Sequence, residues 1–231
     1  MKIVFTRRAM RSRLLESAAI LRPAPPGTGT PLVVATLALV AAAYLLGSIS
    51  FAVVVSRAFG LPDPHEYGSG NPGATNVLRT GNRPAAILTL LGDGLKGFVA
   101  VFAARQLAAA LDLGDMTVAL VAVAVFVGHV FPVFHRFRGG KGVATGAGIV
   151  FALHWPLALI LTVVWLTMAY GFKISSLAGL TAAVLMPLGM FFVMGATPVS
   201  FAMIVIAALI VWRHKDNLAR LVRGGETTIG R

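Results

Sequence analysis

Residues 68–80, GSGNPGATNVLRT, set three glycines among small hydrogen-bonding side chains and end near a fixed positive charge. Gly68, Gly70 and Gly73 let a backbone turn sharply and approach a ligand with no Cβ in the way. Ser69, Asn71, Thr75 and Asn76 add polar side chains, and Arg79 adds a guanidinium. Backbone N–H groups converging from such a loop beside a guanidinium suit a phosphate. The plain alternative is a flexible connector between two membrane helices. A connector has no need of Asn and Thr interleaved so densely with glycine.

A second stretch, GHVFPVFHRFRGGKGVAT (128–145), places Gly139, Gly140 and Gly142 around Lys141 at the start of a helix, where the helix dipole favours an anion. It is not a Walker A loop, because His135 and Gly142 stand where that pattern needs Gly and Ser or Thr, so ATP is not expected. His214 and Asn217, spaced i, i+3, can reach one ligand; the alternative is head-group contact together with Arg213 and Lys215. His129 reads first as a helix-packing residue and second as a base. There is no His-x-x-x-x-Asp pair of the acyl-CoA-dependent acyltransferases and no G-x-S-x-G elbow. Cysteine is absent, which excludes disulfides, thiolate metal sites and a cysteine nucleophile.

The elements that must hold these loops are membrane helices. Of 231 residues 57% are hydrophobic and 12% charged, against about 25% charged in soluble chains. Residues 31–56, 142–172 and 174–212 carry no Lys, Arg, Asp or Glu, and apolar runs of about 18 residues or more read as spans. Spans are expected over about 31–55, 84–111, 117–134, 177–194 and 198–212, with 143–172 divided into two short spans near His154-Trp155-Pro156. Asp93 and Lys96 fall inside the second span at i, i+3, where they can pair on one face away from lipid, with Gly92, Gly94 and Gly97 allowing close packing around them. The pair is equally readable as structural or as part of a site.

The fold expected is therefore an all-α polytopic membrane protein of about seven transmembrane helices, with polar Gly-rich loops on the cytoplasmic face. Seven spans gather loops 56–83, 135–142, 173–176 and the C-terminal tail on one side, and these hold nearly all the Lys and Arg beyond residue 30. The positive-inside rule makes that side cytoplasmic. Residues 1–30, with six Lys or Arg against Glu16 and a PAPPGTGT run, read as a basic, disordered extension to a membrane domain at 31–231. On the outer side that extension breaks the rule; six spans, or its absence from the mature protein, resolve the conflict. The net charge of +12 suits anionic lipid head groups and topology rather than nucleic acid, for which no motif is present.

Six ordered blocks, GSIS (47–50), GSGNPGATNVLRTG (68–81), LLGDGLKG (90–97), GHVFPVFHRFRGGKGVAT (128–145), SSLAG (175–179) and HKDNLARLVRGGETTIG (214–230), resemble the bacterial acyl-phosphate:glycerol-3-phosphate acyltransferases over residues 32–231. Two positions depart from the family pattern: Ser50 replaces a frequent proline, and His65 stands where many members have arginine. The resemblance implies a multi-pass enzyme of the bacterial inner membrane with its site on the cytoplasmic side. Its substrates are acyl phosphate and glycerol 3-phosphate and its product is lysophosphatidic acid. It implies no cofactor and no metal, since an acyl phosphate is already activated. On the residues, it implies a donor-phosphate loop of Ser69, Gly70, Asn71, Thr75 and Asn76. Arg79, Lys141, Ser175 or Ser176, His214 and Asn217 would clamp glycerol 3-phosphate beside Gly140. The proton acceptor is either His214 or the donor's own phosphate. Membrane lipids are partners, and a soluble acyl-phosphate-producing enzyme is a candidate partner for the basic face. A phosphate or organic-anion transporter is the rival reading, against which stand the one-sided polar clusters and the lack of a paired inverted repeat.

Overall fold

In a computed structural model, which describes residues 29–229, every regular element among those residues is helical. Residues 1–28 of the expected basic extension lie outside the described residues. Thr36–Arg231 forms one compact unit; of the preceding unit, Met1–Ala35, the described residues are helical. The elements are α1 (Gly29–Gly47), α2 (Phe51–Ala58), α3 (Ala74–Leu78), α4 (Arg83–Leu111), α5 (Gly114–Val130), a 3-10 turn (Val133–His135), α6 (Val143–Leu153), α7 (Trp155–Phe172), α8 (Ser175–Met194), α9 (Pro198–Arg213) and α10 (Lys215–Val222).

Three helix starts share one device. Asn82, His154 and Thr197 each accept a hydrogen bond from the backbone N–H three residues on, at 3.0, 3.2 and 3.2 Å. Pro84, Pro156 and Pro198 follow within the first two helical positions, where the missing N–H would have had no intrahelical partner. The break expected in 143–172 falls at His154, which ends α6 and caps α7.

Among the described residues α1, α4, α5, α7 and α8 are long and apolar enough to cross a membrane, and α9 with α10, bent by 58°, makes a sixth. Helix length alone therefore gives five or six crossings rather than the seven expected. The seventh apolar helix, α6, has 11 residues and is roughly 16 Å long, about half a bilayer's hydrocarbon thickness. The contacts explain its shortness. It begins beside Gly94 and Gly97, about three turns into α4, and ends where Arg105 of α4 donates to the carbonyls of Ala152 and Leu153.

Backbone meets backbone where α4 and α6 cross. A Cβ on Gly148 would collide with the Gly94 carbonyl, and one on Gly97 with that of Thr145. Thr145 Oγ1 then reaches the Asp93 carbonyl at 2.9 Å. Beyond this contact Val101, Phe126, Ile149, Met190, Met203 and Ile206 are fully enclosed. Leu91, Leu95, Ile160, Val163 and Phe192 point outward, as suits helices surrounded by hydrocarbon.

Asp93 and Lys96 are 3% and 2% exposed, so the expected pair faces the interior. Lys96 Nζ lies 2.9 Å from Asp93 Oδ1 and donates at 2.7 Å to the Ile49 carbonyl in the break between α1 and α2. The close approach to Asp93 is a charge contact rather than an aligned hydrogen bond.

Candidate active site

Asn76 builds the first loop from within. Its Oδ1 accepts from Ser69 N–H at 3.0 Å and from Ser69 Oγ at 3.2 Å, while its Nδ2 donates to the carbonyls of Pro64 and Tyr67 at 2.9 and 3.2 Å. Gly68, at φ +59°, is needed here, because a Cβ would run into Asn76 Oδ1. Asn76 is 2% exposed, and its polar atoms are engaged in shaping the loop. Gly70 gives its N–H to Tyr67 O at 2.9 Å. Ser69, Asn71, Thr75 and Arg79 stand on the wall of the central cavity, and Gly70 does not.

The second loop is braced from the end of α9. Arg213 donates to the carbonyls of Gly139 and Gly140 at 2.7 and 3.3 Å, and Gly140 N–H donates to His129 O at 3.2 Å. Gly140 is thus a turn residue behind the cavity, pressed against the His129 ring. Lys141 alone of this loop's charges reaches the cavity wall, where its Nζ donates to Asn217 Oδ1. Burial lowers its pKa to about 8; Glu226 opposes the shift, and Arg220, Arg213 and Arg79 add to it.

The C-terminal segment closes the polar end. Glu226 Oε1 accepts from Asn217 Nδ2 at 2.6 Å and from Ser176 Oγ at 3.0 Å, and its Oε2 accepts from Arg220 Nε at 2.8 Å. Burial pushes the Glu226 carboxyl up, but these hydrogen bonds outweigh it and hold the carboxyl below its usual range. Thr227 Oγ1 accepts from Arg79 at 2.8 Å, and Ile229 N–H reaches Lys173 O at 2.7 Å. His214 Nδ1 lies 2.8 Å from the Ile210 carbonyl. A carbonyl can only accept, so Nδ1 carries the proton and Nε2 of the neutral ring is an acceptor.

These groups surround one end of a cavity of about 830 Å³. Arg79, Lys141, Ser175, Ser176, His214 and Asn217 are all on its wall, and its other wall is apolar, with Phe98, Phe151, Leu161, Trp165 and Met186. Asp93 and His129 border it as well, 3.6 Å apart. Among the described residues no cluster of His, Asp and Glu could hold a metal ion.

Residues 37–224 match the family model described as glycerol-3-phosphate acyltransferase. The chain belongs to that family. It is 59% identical over 195 residues to the glycerol-3-phosphate acyltransferase of Thiobacillus denitrificans, covering 84% of this chain and 98% of the relative. It is 54% identical over 191 residues to that of Neisseria meningitidis, covering 83% and 96%. Its fold is similar to a crystal structure of PlsY, an integral membrane glycerol 3-phosphate acyltransferase, in its glycerol 3-phosphate form, with a TM-score of 0.79 and 39% identity over 85% of this chain and 96% of that one. The same enzyme in its lysophosphatidic acid form gives a TM-score of 0.77.

The chain is thus a multi-pass membrane member of this enzyme family, which sets the transporter reading aside. Three of its cavity groups were not singled out from sequence. Glu226 is the only acidic residue between Asn217 and Gly230, and that isolation was the available signal. Arg220 and Thr227 sat in a recognised block with no role attached. Arg213, behind the wall and named from sequence only in the head-group alternative, braces the glycine loop.

Proposed function

We propose that this enzyme transfers a fatty acyl group from acyl phosphate to the sn-1 hydroxyl of glycerol 3-phosphate, giving lysophosphatidic acid and phosphate. The reaction is the first step of bacterial phospholipid synthesis and takes place on the cytoplasmic side of the inner membrane. The observation that carries this reading is the two-natured cavity, cationic and hydrogen-bonding at one end and apolar along the rest. Both substrates bear phosphate, and the donor also bears a hydrocarbon tail.

Ser69, Asn71 and Thr75 hold the donor phosphate, with Asn76 shaping their loop. Arg79, Lys141, Ser175, Ser176, His214 and Asn217 hold glycerol 3-phosphate, with Glu226 orienting Asn217 and Ser176 beside it. Such charge-assisted bonds contribute about 1.5–3 kcal/mol each. The sn-1 oxygen attacks the acyl carbonyl carbon, a C–O ester bond forms, and the bond from that carbon to the phosphate oxygen breaks. Phosphate leaves with the bonding pair. The hydroxyl proton goes to the departing phosphate, or to His214 Nε2. No covalent nucleophile is needed, because the mixed anhydride is already activated.

The test is a choice of donors. Purified protein with glycerol 3-phosphate should make lysophosphatidic acid from acyl phosphate and none from acyl-CoA. Product from acyl-CoA would overturn the donor assignment while leaving an acyltransferase.

A further inference from the structure

Outside the cavity, one surface combines charge and aromatic area without any internal use for either. The loop between α5 and α6 exposes Phe134 and Phe137, 59% and 58% accessible, with Arg136 and Arg138 on either side of Phe137. Arg136 and Phe137 lie consecutively at φ +52° and +60°, a conformation L residues seldom adopt. It is held by Phe137 N–H to Pro132 O at 2.9 Å and Arg138 N–H to His135 O at 3.0 Å. The segment that follows α2 meets the same loop. His65 Nε2 lies 3.0 Å from Arg138 O, and the His65 and His135 rings are 6.1 Å apart. Arg57, in the last turn of α2, and Phe59, two residues on, are both exposed. Among the described residues none of the guanidiniums of Arg57, Arg136 and Arg138 makes a hydrogen bond or ion pair within the chain.

We infer that Arg57, Phe59, Phe134, Arg136, Phe137 and Arg138 form a docking surface for the anionic phospholipid head groups of the adjoining leaflet. The occupant follows from place and chemistry. The surface is built on the end of α2 and the loop between α5 and α6, at the ends of membrane helices, where Phe side chains bury at the acyl boundary and arginine side chains meet lipid phosphate. Each ring then lies against the acyl boundary while the guanidiniums beside it engage phosphate. The backbone of Arg138 continues directly into the Gly139–Gly142 loop, so lipid binding here steadies the loop that carries Lys141. The inference depends on the membrane reading and not on the identity of the acyl donor.

The chain contains no cysteine, so a single nitroxide can be placed by Val133→Cys, an exposed neighbour outside the six. Its collisions with oxygen and with a neutral nickel chelate are compared in nanodiscs of phosphatidylcholine alone and with added phosphatidylglycerol. Phosphatidylglycerol should raise oxygen collisions and lower nickel collisions. Combining Arg57→Gln, Arg136→Gln and Arg138→Gln should abolish that response, and Phe134→Ser with Phe137→Ser should leave the label water-exposed in both lipids. Acyl transfer in detergent should be unchanged in both variants, which shows that they are folded. A label equally open to nickel in both lipids, or a response that survives removal of the three arginines, would overturn the inference. The first of these would hand the surface to a soluble acidic partner.

Discussion

Asn217 Nδ2 donates to Glu226 Oε1 at 2.6 Å, and this contact turns the amide oxygen of Asn217 toward Lys141 Nζ. One carboxylate thereby sets the orientation of a group on α10, while its other bonds reach Ser176 on α8 and Arg220. Glu226→Gln keeps the size but presents an N–H where Asn217, Ser176 or Arg220 must find an acceptor. Losing one charged acceptor costs about 1.5–3 kcal/mol, so kcat/KM for glycerol 3-phosphate should fall on the order of 10- to 100-fold. Steady-state kinetics with the donor saturating would measure it.

The Lys141 ammonium has a pKa lowered to about 8 by burial. Its charged form is the one that attracts phosphate, so the free enzyme loses affinity as pH rises through that value and keeps it below. A bound phosphate favours the charged form, so kcat should resist alkaline pH better than kcat/KM. In Lys141→Arg, where the charge persists above about pH 12, the alkaline fall in kcat/KM should vanish. A profile unchanged by that substitution would remove Lys141 from the binding step.

Arg79 stands on the cavity wall and bonds Thr227, whereas Arg223 is exposed beyond α10. Arg79→Ala should lower kcat/KM at least about 10-fold, the equivalent of one charge-assisted bond. Arg223→Ala should stay within about 2-fold, as for a surface charge. Equal losses would show that net charge rather than a placed guanidinium matters.

His214 offers Nε2 as its acceptor because Ile210 O fixes the proton on Nδ1. If the histidine takes the hydroxyl proton, His214→Gln should lower kcat at least about 100-fold, beyond any rise in KM from its lost substrate contact. If the departing phosphate takes it, kcat should survive within about 10-fold, below the usual contribution of general base catalysis.

Inside the bundle, Lys96→Met should destabilise the protein by about 3–5 kcal/mol, because the Asp93 carboxylate is left buried without its counter-ion. Adding Asp93→Asn should restore part of that loss. Thermal unfolding in detergent would read both variants.

Much of this arrangement was legible in the residue pattern. The Asp93–Lys96 pair, the break at His154 and the reach of His214 and Asn217 to one ligand needed only helical spacing and charge-free runs, whereas joining them to Arg79, Lys141 and Ser176 rested on the family resemblance. What escaped depends on distance along the chain. Glu226 meets Ser176 across 50 residues, and no local spacing announces that contact. Asn76, read as a ligand group, also lines the cavity, but its role in locking its own loop was not visible, because such an amide looks the same in sequence as one that only binds phosphate. Gly70 and Gly140 read as anion donors, yet their N–H groups close turns onto Tyr67 and His129. The short α6 was legible as the first part of 143–172, but its crossing against α4, where Gly148 meets the Gly94 carbonyl, was not.

The central claim is direct transfer of the acyl group from acyl phosphate to glycerol 3-phosphate in one cavity. The most direct measurement follows lysophosphatidic acid and phosphate together in purified protein, and then labelled phosphate exchange into acyl phosphate with glycerol 3-phosphate withheld. The account predicts one phosphate released per lysophosphatidic acid formed and no exchange without the acceptor. Exchange in the absence of glycerol 3-phosphate would reveal an acyl-enzyme, and phosphate release without matching lipid product would contradict the transfer itself.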